Sequence, residues 1–270
     1  MISMDPILYW IYVLLTALIP GFLATWLGVG GCFLRIPMIM YFFGVSIKEA
    51  YCINQAVIAL TTIPGVIVHY KHKYVYKKGL VVAAAAACLG VALGAYVVAK
   101  YVPRLVLRVI FGTACTFIGI YVFYNTLKKK AKLKKAISVE EVGSLLEHGA
   151  KLFTLMFLAG FATGICGFGG GIYYVPAFMG LGYPTHIAVG TSSAEMIFTA
   201  GLGSSILTYY GFMNIPLFLS IGIPTLIASY LGAKMAKKSP PYVLRLVYAI
   251  LISLVGLYVA VNALIALKIM

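Results

Sequence analysis

Long apolar runs, separated by short polar or glycine-rich junctions, fill most of this chain. Ten runs can be distinguished, at residues 7–27, 32–44, 50–70, 79–100, 104–127, 151–166, 171–182, 187–210, 215–236 and 241–267. Most of them match the roughly 20 apolar residues that an α-helix needs to cross a bilayer. The runs are continuous rather than alternating, which disfavours a transmembrane β-barrel. The pattern therefore predicts an all-α polytopic membrane protein with about 8–10 transmembrane helices.

The composition excludes two broad classes of protein. Of the 270 residues, 63% are hydrophobic and 10% are charged, whereas soluble domains carry about 25% charged residues. A soluble enzyme and a disordered chain are both excluded. The 21 basic residues outnumber the 6 acidic ones, but they lie between the apolar runs, as in cytoplasmic loops. We therefore expect a multi-pass protein of the cell (plasma) membrane, and no nucleic acid as a partner.

The two halves of the chain resemble each other in order. The matching pairs are Gly28-Val-Gly-Gly-Cys-Phe-Leu-Arg-Ile-Pro37 with Gly167-Phe-Gly-Gly-Gly-Ile-Tyr-Tyr-Val-Pro176, Leu93-Gly-Ala95 with Leu231-Gly-Ala233, and Pro103-Arg-Leu-Val-Leu-Arg108 with Pro240-Pro-Tyr-Val-Leu-Arg245. The offset between partners drifts only from 139 to 137, which indicates an internal duplication. We expect a first membrane repeat at 1–127, a basic cytoplasmic connector at 128–150 and a second membrane repeat at 151–270.

The basic loops predict how the two repeats are oriented. Each repeat holds five segments, an odd number, so the second repeat is inverted relative to the first if all segments cross. Loops 71–78, 128–135 and 234–245 then share one side and hold 14 of the 21 basic residues. Cytoplasmic loops carry such an excess. The parallel arrangement would instead place the uncharged loop 211–216 inside, so the bias favours inverted repeats.

Each glycine motif is followed by an apolar run too short to span the membrane. A run of about 12 residues is about 18 Å long as a helix, against about 30 Å of hydrocarbon. We expect broken or re-entrant half-helices, which in paired positions point to a transporter site. Glycine allows close backbone approach, and a helix N-terminus suits an anion. The alternative is close helix packing through small residues. The candidate substrate-binding glycines are Gly28, Gly30, Gly31, Gly167, Gly169, Gly170 and Gly171.

Polar side chains near the motifs extend this candidate anion site. Arg35, on the first short segment, is a candidate counter-charge, and the alternative is an arginine at the membrane interface. Amides and hydroxyls after each short segment can bind anion oxygens, or they can form interhelical hydrogen bonds instead. These candidates are Asn54, Gln55, Thr191, Ser192 and Ser193.

One acid and two cysteines complete the set of candidates. Glu195 is the only acid well inside an apolar run, and such residues mark functional sites. It is a candidate to carry a coupled proton, or to pair with Arg35. Cys32 and Cys166 adjoin the glycine motifs and are possible thiol contacts to a sulfur-containing substrate, or small buried residues. An enzyme using these thiols would need a base nearby, and neither motif contains histidine. We expect no enzyme, no cofactor and no metal.

These motifs together resemble the sulfite exporter TauE/SafE family. The resemblance rests on the paired glycine motifs ending in proline, the Thr-Ser run of the second half and the repeated Leu-Gly-Ala element, and it extends from about residue 12 to 265. Two positions depart from the repeated pattern: Cys32 stands where the second motif has Gly171, and Ile53-Asn54-Gln55 replaces a Gly-Thr-Ser-like run. The resemblance implies a secondary transporter for sulfite, thiosulfate, sulfoacetate and related small anions.

The leading hypothesis is an exporter of small sulfur-containing anions that works by alternating access. The anion would bind near the midplane, between Gly28–Gly31 and Gly167–Gly171. A passive anion channel and a carrier of small organic acids are the alternatives. A coupled proton or sodium ion is a possible further partner, and the sequence does not distinguish the two.

Overall fold

A computed structural model describes residues 5–26, 31–128, 149–236 and 241–269, and all regular secondary structure in these ranges is α-helical. The ten helices are α1 (Pro6–Trp26), α2 (Cys32–Phe43), α3 (Ile47–Lys71), α4 (Lys77–Lys100), α5 (Arg104–Lys128), α6 (Gly149–Cys166), α7 (Gly171–Gly180), α8 (Thr185–Tyr209), α9 (Ile215–Ala236) and α10 (Pro241–Ile269). The predicted all-α class is confirmed. Gly28, Gly30 and most of the connector 128–150 lie outside the described residues.

The helix boundaries follow the apolar runs except where a cap extends a helix. Helix α3 begins at Ile47, three residues before its predicted run, because Ser46 and Glu49 form a capping box. The backbone N–H of Glu49 donates to the Ser46 hydroxyl (3.3 Å), and the backbone N–H of Ser46 donates to the Glu49 carboxylate (2.7 Å). These bonds satisfy donors that the helix itself leaves unpaired. Helix α2 ends at Phe43, and the capping residue Gly44 has a φ of 64°, which suits a glycine.

Seven helices in the described ranges are long and apolar enough to cross a membrane: α1, α3, α4, α5, α6, α9 and α10. Helix α8 is also 25 residues long, but its hydroxyl residues and Glu195 make it less apolar. Helices α2 and α7, at 12 and 10 residues, are too short to cross about 30 Å of hydrocarbon. The short segments predicted after the glycine motifs are therefore present.

Four helix pairs make the closest packing in the bundle: α5 with α10, α4 with α6, α1 with α9, and α3 with α8. Exchanging the two halves converts the α4–α6 pair into α9–α1, and it converts α5–α10 and α3–α8 into themselves. Individual contacts follow the same exchange. Gly90 and Gly94 of α4 pack against Gly160 and Gly164 of α6.

The contacts between α1 and α9 repeat those between α4 and α6. There, Ala228 packs against Gly21, and Gly232 packs against Thr25. Ala228 and Gly232 lie 138 residues after Gly90 and Gly94, while Gly21 and Thr25 lie 139 residues before Gly160 and Gly164. Close backbone approach through small residues is typical of helix packing in membranes. The duplication seen in the sequence thus extends to individual packing contacts.

Two matching turns close the ends of the α3–α8 pair. After α3, Lys73 has a φ of 58°, the Tyr74 N–H donates to the His69 carbonyl and the Lys73 N–H donates to the Tyr70 carbonyl. After α8, the same two bonds recur 138 residues later, and Gly211 has a φ of 80°. Both are Schellman motifs.

The aromatic residue that follows each turn packs at the beginning of the long helix from the other half. Tyr74 lies against His186 of α8, with ring centroids 4.9 Å apart. Phe212 lies against Lys48 of α3, with the ammonium nitrogen 5.5 Å from the ring centroid. His186 is the repeat partner of Lys48, as Phe212 is of Tyr74. The two ends of the pair are therefore covered in the same way.

Candidate functional site

The second glycine motif forms a buried loop between α6 and α7. Gly167 and Gly170 have φ values of 67° and 83°, in the left-handed region where only glycine is free of strain. Aromatic rings occupy the space beside these two glycines: Tyr51 of α3 packs on Gly167, and Tyr174 of α7 packs on Gly170. At Gly169, which has no positive φ, the Ile58 side chain occupies the space where a Cβ would lie.

In the first motif, glycine is required for a different reason. Gly31 precedes α2 with an ordinary φ of −87°. A Cβ at this position would lie 2.8 Å from the backbone carbonyl carbon of Pro20 in α1. Glycine is therefore needed at Gly31 because another backbone approaches closely, and not because of its own torsion angles.

Arg35 connects the two halves through Asn54. The Arg35 guanidinium, which is 1% exposed, donates from Nη1 to the Asn54 Oδ1 oxygen over 3.2 Å. The Asn54 amide in turn donates from Nδ2 to the carbonyl oxygen of Gly167 over 3.0 Å. Arg35 of α2 is thereby held beside the second glycine motif, more than one hundred residues away in sequence. The predicted candidates Arg35, Asn54 and Gly167 come together.

We call the place where Arg35, Asn54 and Gly167 meet “the junction”. Thiols and phenolic hydroxyls lie near it. The Cys32 thiol at the start of α2 lies beside the backbone of Gly169 and beside Arg35. Cys115 of α5 and Cys166 at the end of α6 lie close to it. The three cysteines are buried and free. Tyr173 contacts the Cys166 thiol, and Tyr51 and Tyr248 lie within electrostatic range of the thiols.

The electrostatics of the junction favour an anion. The described residues place no carboxylate against Arg35, and its Nε has no hydrogen-bond partner. The N-terminal ends of α2 and α7 meet here, because Cys32 begins α2 and Gly169 lies two residues before α7. The first N–H groups of a helix have no intrahelical acceptor, and its N-terminus carries partial positive charge. The buried hydroxyls of Tyr51 and Tyr248 are also without partners.

The hydroxyl run of α8 does not act as one group. Thr191 accepts a hydrogen bond from the backbone N–H of Tyr76 (3.1 Å), which fastens the α3–α4 loop to α8. Ser193 donates to the carbonyl of Val189 in its own helix (2.8 Å). Only the Ser192 hydroxyl is buried without a partner. Gln55 packs against Gly203 of α8, and neither polar atom of its side chain has a partner.

Glu195 is buried in a second polar cluster. Neither of its carboxylate oxygens has a hydrogen-bond partner among the described residues, so the pairing of Glu195 with Arg35 that the sequence suggested as one option does not form. Glu195 lies instead near Tyr174 and Cys88. Tyr174 occupies the repeat position of Arg35, so the two halves place different chemistry at equivalent positions.

Several site residues escaped the sequence analysis. Tyr51, Cys115, Tyr173 and Tyr248 lie in continuous apolar runs, where nothing distinguishes them from other aromatic and thiol residues. The repeat alignment did carry one signal, because Tyr174 aligns with Arg35. The remaining contacts depend on how α2, α5, α6 and α10 pack.

Comparisons with known proteins relate this chain to membrane transporters. The family model described as Sulfite exporter TauE/SafE matches residues 13–259. A probable membrane transporter protein of Methanocaldococcus jannaschii is 23% identical over 259 residues, which cover 91% of this chain and 93% of that protein. A probable membrane transporter protein of Bacillus subtilis is 25% identical, over 86% of this chain and 93% of its own length.

A plant relative matches over a shorter region. Sulfite exporter TauE/SafE family protein 6 of Arabidopsis thaliana is 32% identical over 126 residues, which cover 46% of this chain and 29% of that protein. No solved structure matches the chain.

Proposed function

Because this chain belongs to the sulfite exporter TauE/SafE family of membrane transporters, we propose that it exports small sulfur-containing anions, such as sulfite, thiosulfate or sulfoacetate, across the plasma membrane. The observation that carries the proposal is the buried Arg35, which reaches the second glycine motif through Asn54. A buried charge without an opposite charge beside it is costly, and an anion bound here would offset that cost.

The anion would bind between the two short helices. Arg35 supplies a charged donor with planar geometry, which suits two oxygens of one anion. The N-terminal N–H groups of α2 and α7 supply further donors. Buried hydroxyls of Tyr51 and Tyr248 could donate to the remaining oxygens. Gly28 and Gly30 belong to the same proposed site by sequence, although they lie outside the described residues.

The sulfur specificity rests on the thiols and on the family. The thiols of Cys32, Cys115 and Cys166 are polarizable and carry no fixed negative charge. A small anion containing sulfur would contact these thiols. Small organic acids would use the same Arg35 contacts without needing the thiols. A carrier of organic acids is therefore the alternative within the same geometry.

Inverted repeats and alternating access are part of the proposal. Helices α5 and α10 pack antiparallel, since Gly112 contacts Ala260 while Gly119 contacts Ser253. If equivalent helices run in opposite directions, the repeats are related by an axis in the membrane plane. The matching Tyr74 and Phe212 turns at the two ends of α3–α8 support the equivalence of the two ends that alternating access requires. Basic loops at 71–78 and 234–245 would face the cytoplasm.

Exchange transport tests this proposal against a channel. Purified protein is reconstituted into vesicles, and efflux of labelled sulfite is measured with and without unlabelled sulfite on the other side. A carrier saturates and is accelerated by unlabelled substrate in trans, whereas a channel shows flux proportional to concentration. Arg35→Ala should abolish the flux. The exposed Arg104→Ala is the matched control, because it removes the same side chain away from the junction.

A further inference from the structure

Four buried polar oxygens without hydrogen bonds lie on α7 and α8. They are both carboxylate oxygens of Glu195, the Ser192 hydroxyl and the Tyr174 hydroxyl. All three side chains are fully buried. The large majority of buried side-chain polar atoms in proteins are hydrogen-bonded, and each exception calls for an explanation such as a bound ion.

Two threonine hydroxyls, on α6 and α8, lie near the Tyr174 hydroxyl. Ser192, Glu195 and Thr199 are spaced by three and four residues, which places them on one face of α8. Tyr174 of α7 lies beside Glu195, Thr199 and Thr163 of α6. The Thr163 and Thr199 hydroxyls donate to backbone carbonyls of their own helices, at 2.8 Å and 3.1 Å. Their oxygen lone pairs therefore remain available to a ligand.

The charge and ligand types indicate the class of ion. Cys88 and Tyr174 are the titratable groups beside Glu195 in the described part of the chain, and neither is cationic. One carboxylate among hydroxyls offers a single negative charge and hard oxygen ligands, which suit a hard cation. The described residues contain no group of three His, Cys, Asp or Glu side chains that could hold a metal ion. A monovalent cation balances the charge.

The missing hydrogen bonds distinguish a metal cation from a bound proton. A protonated carboxyl donates to an acceptor over about 2.5–3.0 Å, and neither Glu195 oxygen has a hydrogen-bond partner among the described residues. A cation of the size of Ca²⁺ or Na⁺ lies about 2.3–2.6 Å from each ligand, so its ligands can stand too far apart to bond each other. We infer that Glu195, Ser192, Tyr174, Thr163 and Thr199 form a binding site for one sodium ion.

The inference deepens the proposed function, because sodium bound here would be the coupling ion, and in that role it rests on the proposed transport. Binding itself is testable without transport. Equilibrium binding of radioactive sodium is measured on the purified full chain in detergent, with choline chloride keeping the ionic strength constant and potassium as a competitor.

The variants separate the site from the fold. Wild type should bind one sodium ion per chain, and Glu195→Gln should abolish binding. Tyr174→Phe keeps the ring that packs on Gly170 and removes only the hydroxyl, so it should weaken binding about tenfold. Ser205→Ala on the same helix is the matched control, because its hydroxyl donates only to the Gly201 carbonyl (2.8 Å). The control should bind as wild type does.

The outcomes distinguish the site from the transport proposal. Sodium binding that is absent in wild type, or that is unchanged in Glu195→Gln, overturns the site. Thermal stability that responds to pH but not to sodium also overturns it, because Glu195 would then be a protonation site. Sodium binding without any anion flux would leave the site standing and refute the proposed transport.

Discussion

Replacing Arg35 tests the anion site most directly. We predict that Arg35→Ala weakens sulfite binding by at least one charge-assisted contact. Hydrogen bonds to charged groups contribute about 1.5–3 kcal/mol each, which corresponds to about 10–150-fold in the dissociation constant. Arg35→Lys should recover part of this loss, because lysine keeps the charge but not the planar pair of donors.

The same substitution should change stability much less than affinity. Arg35→Ala removes the 3.2 Å hydrogen bond to Asn54, and by the same measure that bond is worth about 1.5–3 kcal/mol. It also removes a buried charge, whose desolvation costs several kcal/mol. These two effects oppose each other, so the midpoint of thermal unfolding should move little.

Calorimetric titration of sulfite into purified protein, beside thermal unfolding of the same samples, measures both quantities. Arg104→Ala, at an exposed position on α5, is the control and should match wild type in affinity. Unchanged sulfite affinity in Arg35→Ala would refute the assignment of Arg35 to the anion site. A collapse of stability with unchanged affinity would make Arg35 a structural residue that holds Asn54.

Three further predictions address the backbone, the coupling and the orientation. Gly211→Ala forces a φ of 80° on a residue whose Cβ would have open space around it, so it should lose about 1–2 kcal/mol of stability as seen by thermal unfolding, while Gly180→Ala, which also has open space but no positive φ, should lose far less. Equal losses would contradict the role of the torsion angle. Glu195→Gln should retain anion-for-anion exchange in vesicles but lose net transport driven by a sodium gradient. Full net transport in this variant would show that Glu195 has no part in coupling. Cysteines introduced at Lys73 and Met213 should react with an impermeant reagent from opposite sides of the membrane, and labelling from the same side would refute the inverted repeats.

Helix positions in this protein were largely predictable because they depend on local sequence. Apolar runs bounded by glycine, proline or lysine mark where a chain can cross a bilayer, and these runs coincide with the ten described helices to within a few residues. The capping box at Ser46 and Glu49 shifted one boundary. The short lengths of α2 and α7 also followed from the sequence, because the glycine motifs and the next polar junctions bound them.

The partners of polar side chains were decided only by tertiary packing. From the sequence, Thr191, Ser192 and Ser193 formed one candidate group, yet the structure gives them three different environments. Thr191 binds the backbone N–H of Tyr76 because its face of α8 packs against the α3–α4 loop. No local sequence pattern predicts which face packs there. The same applies to Glu195. Its position in the sequence permitted an ion pair with Arg35, but the helices pack so that this pair does not form.

The duplication itself belongs to the sequence, but its consequence belongs to the fold. The repeated motifs predicted two related halves, and small residues such as Gly90 and Gly160 permit close helix contacts. Only in three dimensions does α4 of one half pack on α6 of the other, so that Asn54 reaches Gly167 and Cys32 meets Gly169. Apolar side chains face lipid or neighbouring helices with similar energy, so hydropathy cannot select these contacts. Close backbone approach and hydrogen-bond geometry select them.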